Sequence, residues 1–164
     1  LNRPVLKLRR TKSEWIWDII GGLSFISAIV FLIISWAQLP EQVPGHYNAA
    51  GEVDRWGSKF ELFILPIIGI FMWLFLGILE KFPHVHNYPD RLNEANAEAF
   101  YLNSRKLLNV TKNICLISFG TILVQSIRLA LGWSESLGMW FLPVLCVGVM
   151  IPIILGMVRA SKIK

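Results

Sequence analysis

Apolar residues fall along the chain in four long runs, separated by polar stretches of unequal length. The first, from about Trp15 to Ala37, and the second, Phe60 to Leu79, are each long enough to cross a hydrocarbon core of about 30 Å at about 1.5 Å per residue. The third runs from about Ile114 to Leu131 and the fourth from Leu137 to Val158. The pattern predicts an all-α membrane protein with four transmembrane helices, at about 15–37, 60–79, 114–131 and 137–158, forming a single integral membrane domain over 1–164. The short GWSES connection before the fourth run makes the last two helices antiparallel neighbours. Gly69 and Gly77 share one face of the second helix and suit close packing in lipid, while Pro143 and Pro152 predict a kink in the fourth.

Between the second and third runs, FPHVHNYPD reads as a surface loop, and Asp90 is placed as the N-cap of an amphipathic helix from Arg91 to about Asn113. Leu92, Ala95, Ala99, Leu102 and Val110 line one side of it, with Arg91, Glu94, Glu98, Arg105 and Lys112 mostly elsewhere. This cytoplasmic helix before the third span is expected to lie on the membrane or to extend that span into water.

Composition agrees with a membrane class: 54% of residues are hydrophobic and 16% charged. The net charge of +5 does not imply a nucleic-acid partner, because the basic residues flank apolar runs instead of gathering with aromatics on one face. Lysine and arginine are dense before the first run, between Glu80 and Asn113, and after the fourth run, whereas the first loop has only Arg55 and Lys59 and the second short one Arg128. Both termini are therefore expected in the cytoplasm and the first loop outside. The first run exceeds the roughly 7–15 apolar residues of a cleaved leader and is expected to remain as a span. Cys115 and Cys146 lie inside apolar runs, so no disulfide framework, thiol metal site or cofactor is implied.

Most of the side-chain chemistry lies in the loop 39–59, LPEQVPGHYNAAGEVDRWGSK. Its two halves can pair as a short hairpin around Ala49-Ala50-Gly51, with the glycine in the left-handed position. Counting outward sets Asn48 opposite Glu52 and His46 opposite Asp54, and period-two alternation gathers these four with Trp56 on one face. Tyr47, Val53 and Arg55 then point the other way. A histidine beside a carboxylate has a defined tautomer, which suits ligand recognition, proton transfer or metal binding; fixing the loop is the plain structural alternative. His46, Asn48, Glu52, Asp54, Trp56 and Lys59 are the candidate ligand- or partner-binding residues, with Pro44, Gly51, Gly57 and Ser58 as the framework. Arg128, at the outer end of the third span with Gln125 on the same face, is expected to find a carboxylate in Asp54, Glu52 or Glu135 and so to join the site, with snorkelling to the surface as the plain alternative. His84 and His86 fall on the opposite side of the membrane and read as interfacial loop residues; Asn109-Val110-Thr111 matches a glycosylation acceptor that a cytoplasmic position would make inert.

The loop resembles the core motif of the membrane family called domain of unknown function 1648, P-x-H-(aromatic)-N…G…D-x-(aromatic)-G-(S/T)-K. Pro44, His46, Tyr47, Asn48, Gly51, Asp54, Trp56, Gly57, Ser58 and Lys59 carry the match. The resemblance covers about Ile20 to Phe71, and YPDRLNEANAEAFYLNSRKLL is similar to the family's usual continuation. It implies a protein of the bacterial cytoplasmic membrane with the motif outside, related to a longer immunity protein that protects against a sporulation-delaying toxin and sequesters a repressor at the membrane. It supplies no catalytic role for the motif residues.

The expected function is recognition of an extracellular peptide ligand or a membrane protein subunit by the hairpin, in toxin immunity or signalling, without catalysis. An accessory or scaffold subunit of a membrane complex, and a metal-dependent membrane enzyme centred on His46 and Asp54, are the alternatives.

Overall fold

The computed structural model describes residues 3–164. Helix α1, Lys12–Ser35, opens on a capping box: Glu14 accepts hydrogen bonds from the Thr11 backbone N–H at 2.6 Å and its hydroxyl at 2.8 Å. Buried positions Glu14, Gly21, Phe25, Ala28, Leu32 and Ser35 recur along α1 at the spacing of a single stripe, and that stripe faces α3. The antiparallel strands β1, Gln42–Tyr47, and β2, Val53–Ser58, form the anticipated hairpin. A tight turn over Lys59–Phe63 leads into α2, Ile64–Leu79, followed by the loop to α3, Ala97–Ala130, and then by α4, Phe141–Lys162. All four helical segments are long and apolar enough to cross a membrane.

At about 1.5 Å per residue, the 34 residues of α3 rise roughly 51 Å, well beyond a hydrocarbon core of about 30 Å. The anticipated amphipathic helix and third span are thus one helix, and the extension reading holds. Its start differs: turns occupy the positions after Asp90, and α3 begins at Ala97 with Asn96 as the cap. Asn93 and Asn96 bond back onto each other's backbone there, offering the chain an alternative to helix. The sidedness also differs. Ala95 and Ala99 are exposed, whereas Tyr101, Arg105, Asn109, Lys112, Leu116, Gly120, Leu123 and Ile127 form the buried stripe. In water an amphipathic helix hides its apolar face; in lipid, polar groups turn inward and apolar groups suit the surroundings.

Two apolar clusters close the ends of the bundle. Ala28, Leu32, Leu39, Val43, Leu62, Leu123 and Ile127 pack beneath the hairpin, and Ala97, Phe100 and Tyr101 pack with Leu6, Leu8 and Tyr88 at the other end. Ile19, Leu23 and Ile26 of α1, Ile67 and Phe71 of α2, and Val147 and Ile154 of α4 stay exposed, an outward apolar belt of the kind a bilayer covers. Gly69 lies against the ring of Phe25, so closely that a methyl group would collide with it, but Gly77 has open space beside it and packs on nothing. Pro143 falls in the first turn of α4, where its missing N–H costs nothing, leaving Pro152 as the proline inside that helix.

Candidate functional site

The hairpin is built from the turn outward. Gly51 adopts φ 78°, the left-handed conformation the turn requires, and a side chain there would also strike the backbone of Gly138. Asn48 holds the turn by accepting from the N–H groups of Ala50 and Glu52 at 2.9 and 3.0 Å, while its amide donates to the Glu52 carboxylate at 2.9 Å. The Asn48 N–H donates to the Glu52 carbonyl at 2.9 Å, as the anticipated register demands. Irregularities on either side of His46 shift its Cα partner to Arg55, yet its ring Nδ1–H still donates to Asp54 Oδ1 at 2.6 Å. The His46 and Asp54 side chains are 66% and 42% exposed, so this pair is displayed to solvent. Trp56, paired with Pro44, is also exposed.

The other hairpin face is anchored. Val43 is fully buried, and the Tyr47 hydroxyl shares a 2.6 Å hydrogen bond with Ser126 of α3. Burial pushes the Tyr47 phenol above its ordinary pKa, with the Ser126 bond working the other way. At the tip, the Leu137 N–H donates to the Gly51 carbonyl at 2.8 Å. Arg55 donates to the Gly45 carbonyl at 2.7 Å and pairs with Glu61 at 2.8 Å, which places a carboxylate where a side chain on Gly57 would have to go. Ser58 caps the turn into α2 by accepting from the Phe60 N–H at 3.4 Å. Lys59 pairs with Glu41 at 2.7 Å and lies over the Trp36 ring, so it fastens the base of the hairpin instead of joining the displayed face.

Arg128 departs from expectation. Its guanidinium donates to Gln125 at 2.8 Å and has no carboxylate partner among the described residues, so Asp54 is held by His46 alone. The link between hairpin and α3 is Tyr47 with Ser126, two residues before Arg128 and buried where Arg128 is exposed. His86 is fully engaged in its loop: Nε2–H donates to the Leu79 carbonyl at 3.0 Å and Nδ1 meets Ser104 at 2.8 Å. Among the described residues, no three His, Cys, Asp or Glu side chains converge as a metal site.

At the opposite end, α1, α2 and α3 enclose a second polar cluster that the linear pattern did not reveal. Arg105 grips Glu14 through Nε and Nη2 at 2.6 and 3.1 Å and also donates to the carbonyls of Leu8 and Arg9. Two turns further along α3, Lys112 bridges Asp18 at 3.0 Å and Glu80 at 2.7 Å, while Arg10 closes over the same two carboxylates. Asn109 and Asn113 each donate to Asp18, at 2.8 and 2.9 Å, and Asn113 lies so close to Gly21 that any side chain there would displace it. Glu14, Asp18 and Glu80 balance Arg10, Arg105 and Lys112, and the cluster carries no net charge. Oδ1 of Asn109 and of Asn113 are buried and meet no donor, leaving acceptor capacity inside the cluster. Burial also makes Asn109 inaccessible to modification. The signal was present as a polar stripe, Arg105–Asn109–Lys112, in phase with the apolar stripe Leu116–Gly120–Leu123–Ile127.

Residues 23–70 match the family model described as Domain of unknown function (DUF1648), a stretch that begins in α1, contains the whole hairpin and ends in α2. The chain therefore carries a DUF1648 domain. It is also similar to an uncharacterized protein of Archaeoglobus fulgidus, 34% identical over 107 residues, covering 63% of this chain and 57% of the relative. The chain thus matches little more than half of that relative's length, and the likeness reaches an archaeon. No solved structure matches the chain.

Proposed function

We propose that this DUF1648-domain chain is a multi-pass membrane protein that recognises a ligand or a membrane partner through the displayed face of its hairpin, without turning it over. The His46–Asp54 pair carries this reading. It has a fixed tautomer and stands in solvent, while Val43, Tyr47, Gly51 and Lys59 hold the hairpin from the other face and from its ends. A pair that the fold does not need for its own cohesion is free to meet another molecule. Asn48, Glu52 and Trp56 lie within the same hairpin and supply hydrogen-bonding groups and an exposed ring for a peptide or for a polar loop of a second protein.

The lysine and arginine count supports a hairpin outside the cytoplasm and both termini within it. Binding without chemistry suits an immunity-like or signalling role at a cell membrane. In such a role α3 would be the mechanical link, since it runs from Ser126 under the hairpin to Lys112 in the buried cluster, about 21 Å along one helix. An accessory subunit is the second reading, favoured by α4, most of whose apolar circumference is uncovered.

A photo-crosslinking residue in place of Trp56, activated in intact cells, tests recognition. A discrete adduct that disappears when His46→Ala and Asp54→Asn are added is the expected result. Adducts to lipid alone, or an adduct indifferent to both substitutions, would defeat the reading.

A further inference from the structure

We propose that the cleft between α3 and α4 binds an anionic phospholipid from the leaflet on the side of the chain termini. The cleft encloses about 1040 Å³, at the upper end of the roughly 300–1,000 Å³ typical of small-molecule sites. Leu107, Val110 and Ile114 of α3 face Val144, Ile151 and Leu155 of α4 across it. Two hydroxyls in the wall, those of Ser118 and Thr121, donate to the carbonyls of Ile114 and Ile117 in their own helix, so the wall offers little to a polar ligand.

Charge is confined to one end. Lys106 and Arg159 line the cleft there beside Ser13 and Asn103; no Asp or Glu lines it. Among the described residues neither cation has a carboxylate partner, although every other cation near this end of α1 and α3 that faces the bundle is paired. The Asn103 amide donates to the Gly156 carbonyl at 3.0 Å, which ties the two helices together at this level, beside the two unpaired positive charges.

From Arg159 back to Phe141 the helix rises about 27 Å, close to the ~30 Å of a hydrocarbon core. The cleft therefore follows the depth of an apolar slab and ends in positive charge at one rim. A molecule with a long apolar tail and a negative head satisfies both parts, its phosphate on Lys106 and Arg159 and an acyl chain between the helices. A soluble anion would leave the walls wet, and an apolar helix of a partner or of a second copy would leave both cations unmatched.

The test uses the whole chain in nanodiscs of phosphatidylcholine containing a minor share of phosphatidylglycerol, released and weighed intact by native mass spectrometry. The wild-type chain is expected to retain phosphatidylglycerol about tenfold above its bulk share. Lys106→Gln with Arg159→Gln should bring retention to the bulk ratio, whereas Lys106→Arg with Arg159→Lys should preserve it. Lys7→Gln with Lys81→Gln, exposed cations away from the cleft, should also preserve it. Ile151→Trp, which narrows the cleft about 12 Å from Arg159 and so within the same leaflet, should lower retention of both lipids, and it decides the matter if the glutamine double variant fails to fold. Enrichment that survives both the glutamine pair and Ile151→Trp, an equal loss in the Lys7 and Lys81 control, or a wild-type chain released lipid-free as a dimer that Val144→Cys crosslinks through the cleft would overturn the proposal.

Discussion

The hairpin and the buried cluster use the same side-chain types to opposite ends. In the hairpin, Asp54 meets His46 eight residues away and Glu52 meets Asn48 four residues away, all with access to water. In the cluster, Lys112, 3% exposed, is shared between Asp18 and Glu80, and Arg105 reaches Glu14 across 91 residues of chain. An exposed pair is worth little to the fold, about 0–1 kcal/mol, because water solvates the separated partners almost as well. Removing one partner of a buried pair costs about 3–5 kcal/mol, because the other is stranded without water. Burial, more than residue type, separates the groups that are available for recognition from the groups that hold α1, α2 and α3 in register.

The largest expected break in that contrast is Lys112→Ala. With Arg10 the one cation left beside Asp18 and Glu80, stability in mild detergent should fall by about 3–5 kcal/mol, read as a lower melting temperature or as loss of folded protein. Arg105→Leu should cost a similar amount, but Arg105→Leu combined with Glu14→Leu should cost less than the sum of the two single changes, since the double variant strands no charge. A strictly additive cycle would mean that these residues act separately. Tyr47→Phe removes the hydrogen bond to Ser126 while keeping the ring, and should cost about 1 kcal/mol. His46→Ala and Asp54→Ala should each shift stability by less than about 1 kcal/mol while reducing partner capture sharply. Matching losses of melting temperature and capture would move the pair into the structural class.

The smallest effect concerns alkaline pH. Burial pushes the Tyr88 phenol up to about 12, a shift that the nearby Ser104 opposes. The folded chain therefore keeps a proton that the unfolded chain gives up near pH 10, and this contribution to stability is full below about 10 and lost as pH rises towards 12. Tyr88→Phe should flatten part of the fall in melting temperature over that window.

Much of the hairpin was legible because its partners are close in sequence. Gly51, the Asn48–Glu52 pairing and the meeting of His46 with Asp54 all follow from one turn and a period of two. The four helices long and apolar enough to cross a membrane were legible for the same reason, each containing a continuous apolar run. The cluster was not, because Asp18, Glu80 and Lys112 come from three helices: the polar stripe of α3 marks its inward face but does not name the partners that meet it. The Arg128 expectation failed on depth: a cation at a helix end can be satisfied by its own neighbour Gln125, one turn back, without recruiting the hairpin. Lys59 likewise found Glu41, outside the motif but adjacent at the hairpin base.

The central claim is that the two polar regions lie on opposite sides of a membrane, with the hairpin outward, and labelling of single cysteines tests it most directly. In a background with Cys115 and Cys146 replaced, cysteine is introduced at Ala50 on the hairpin tip or at Asn87 in the loop before α3, both exposed positions. Ala50→Cys should react with an impermeant thiol reagent in whole cells, and Asn87→Cys only after lysis. Reversed labelling, or equal labelling of both in intact cells, would contradict the account.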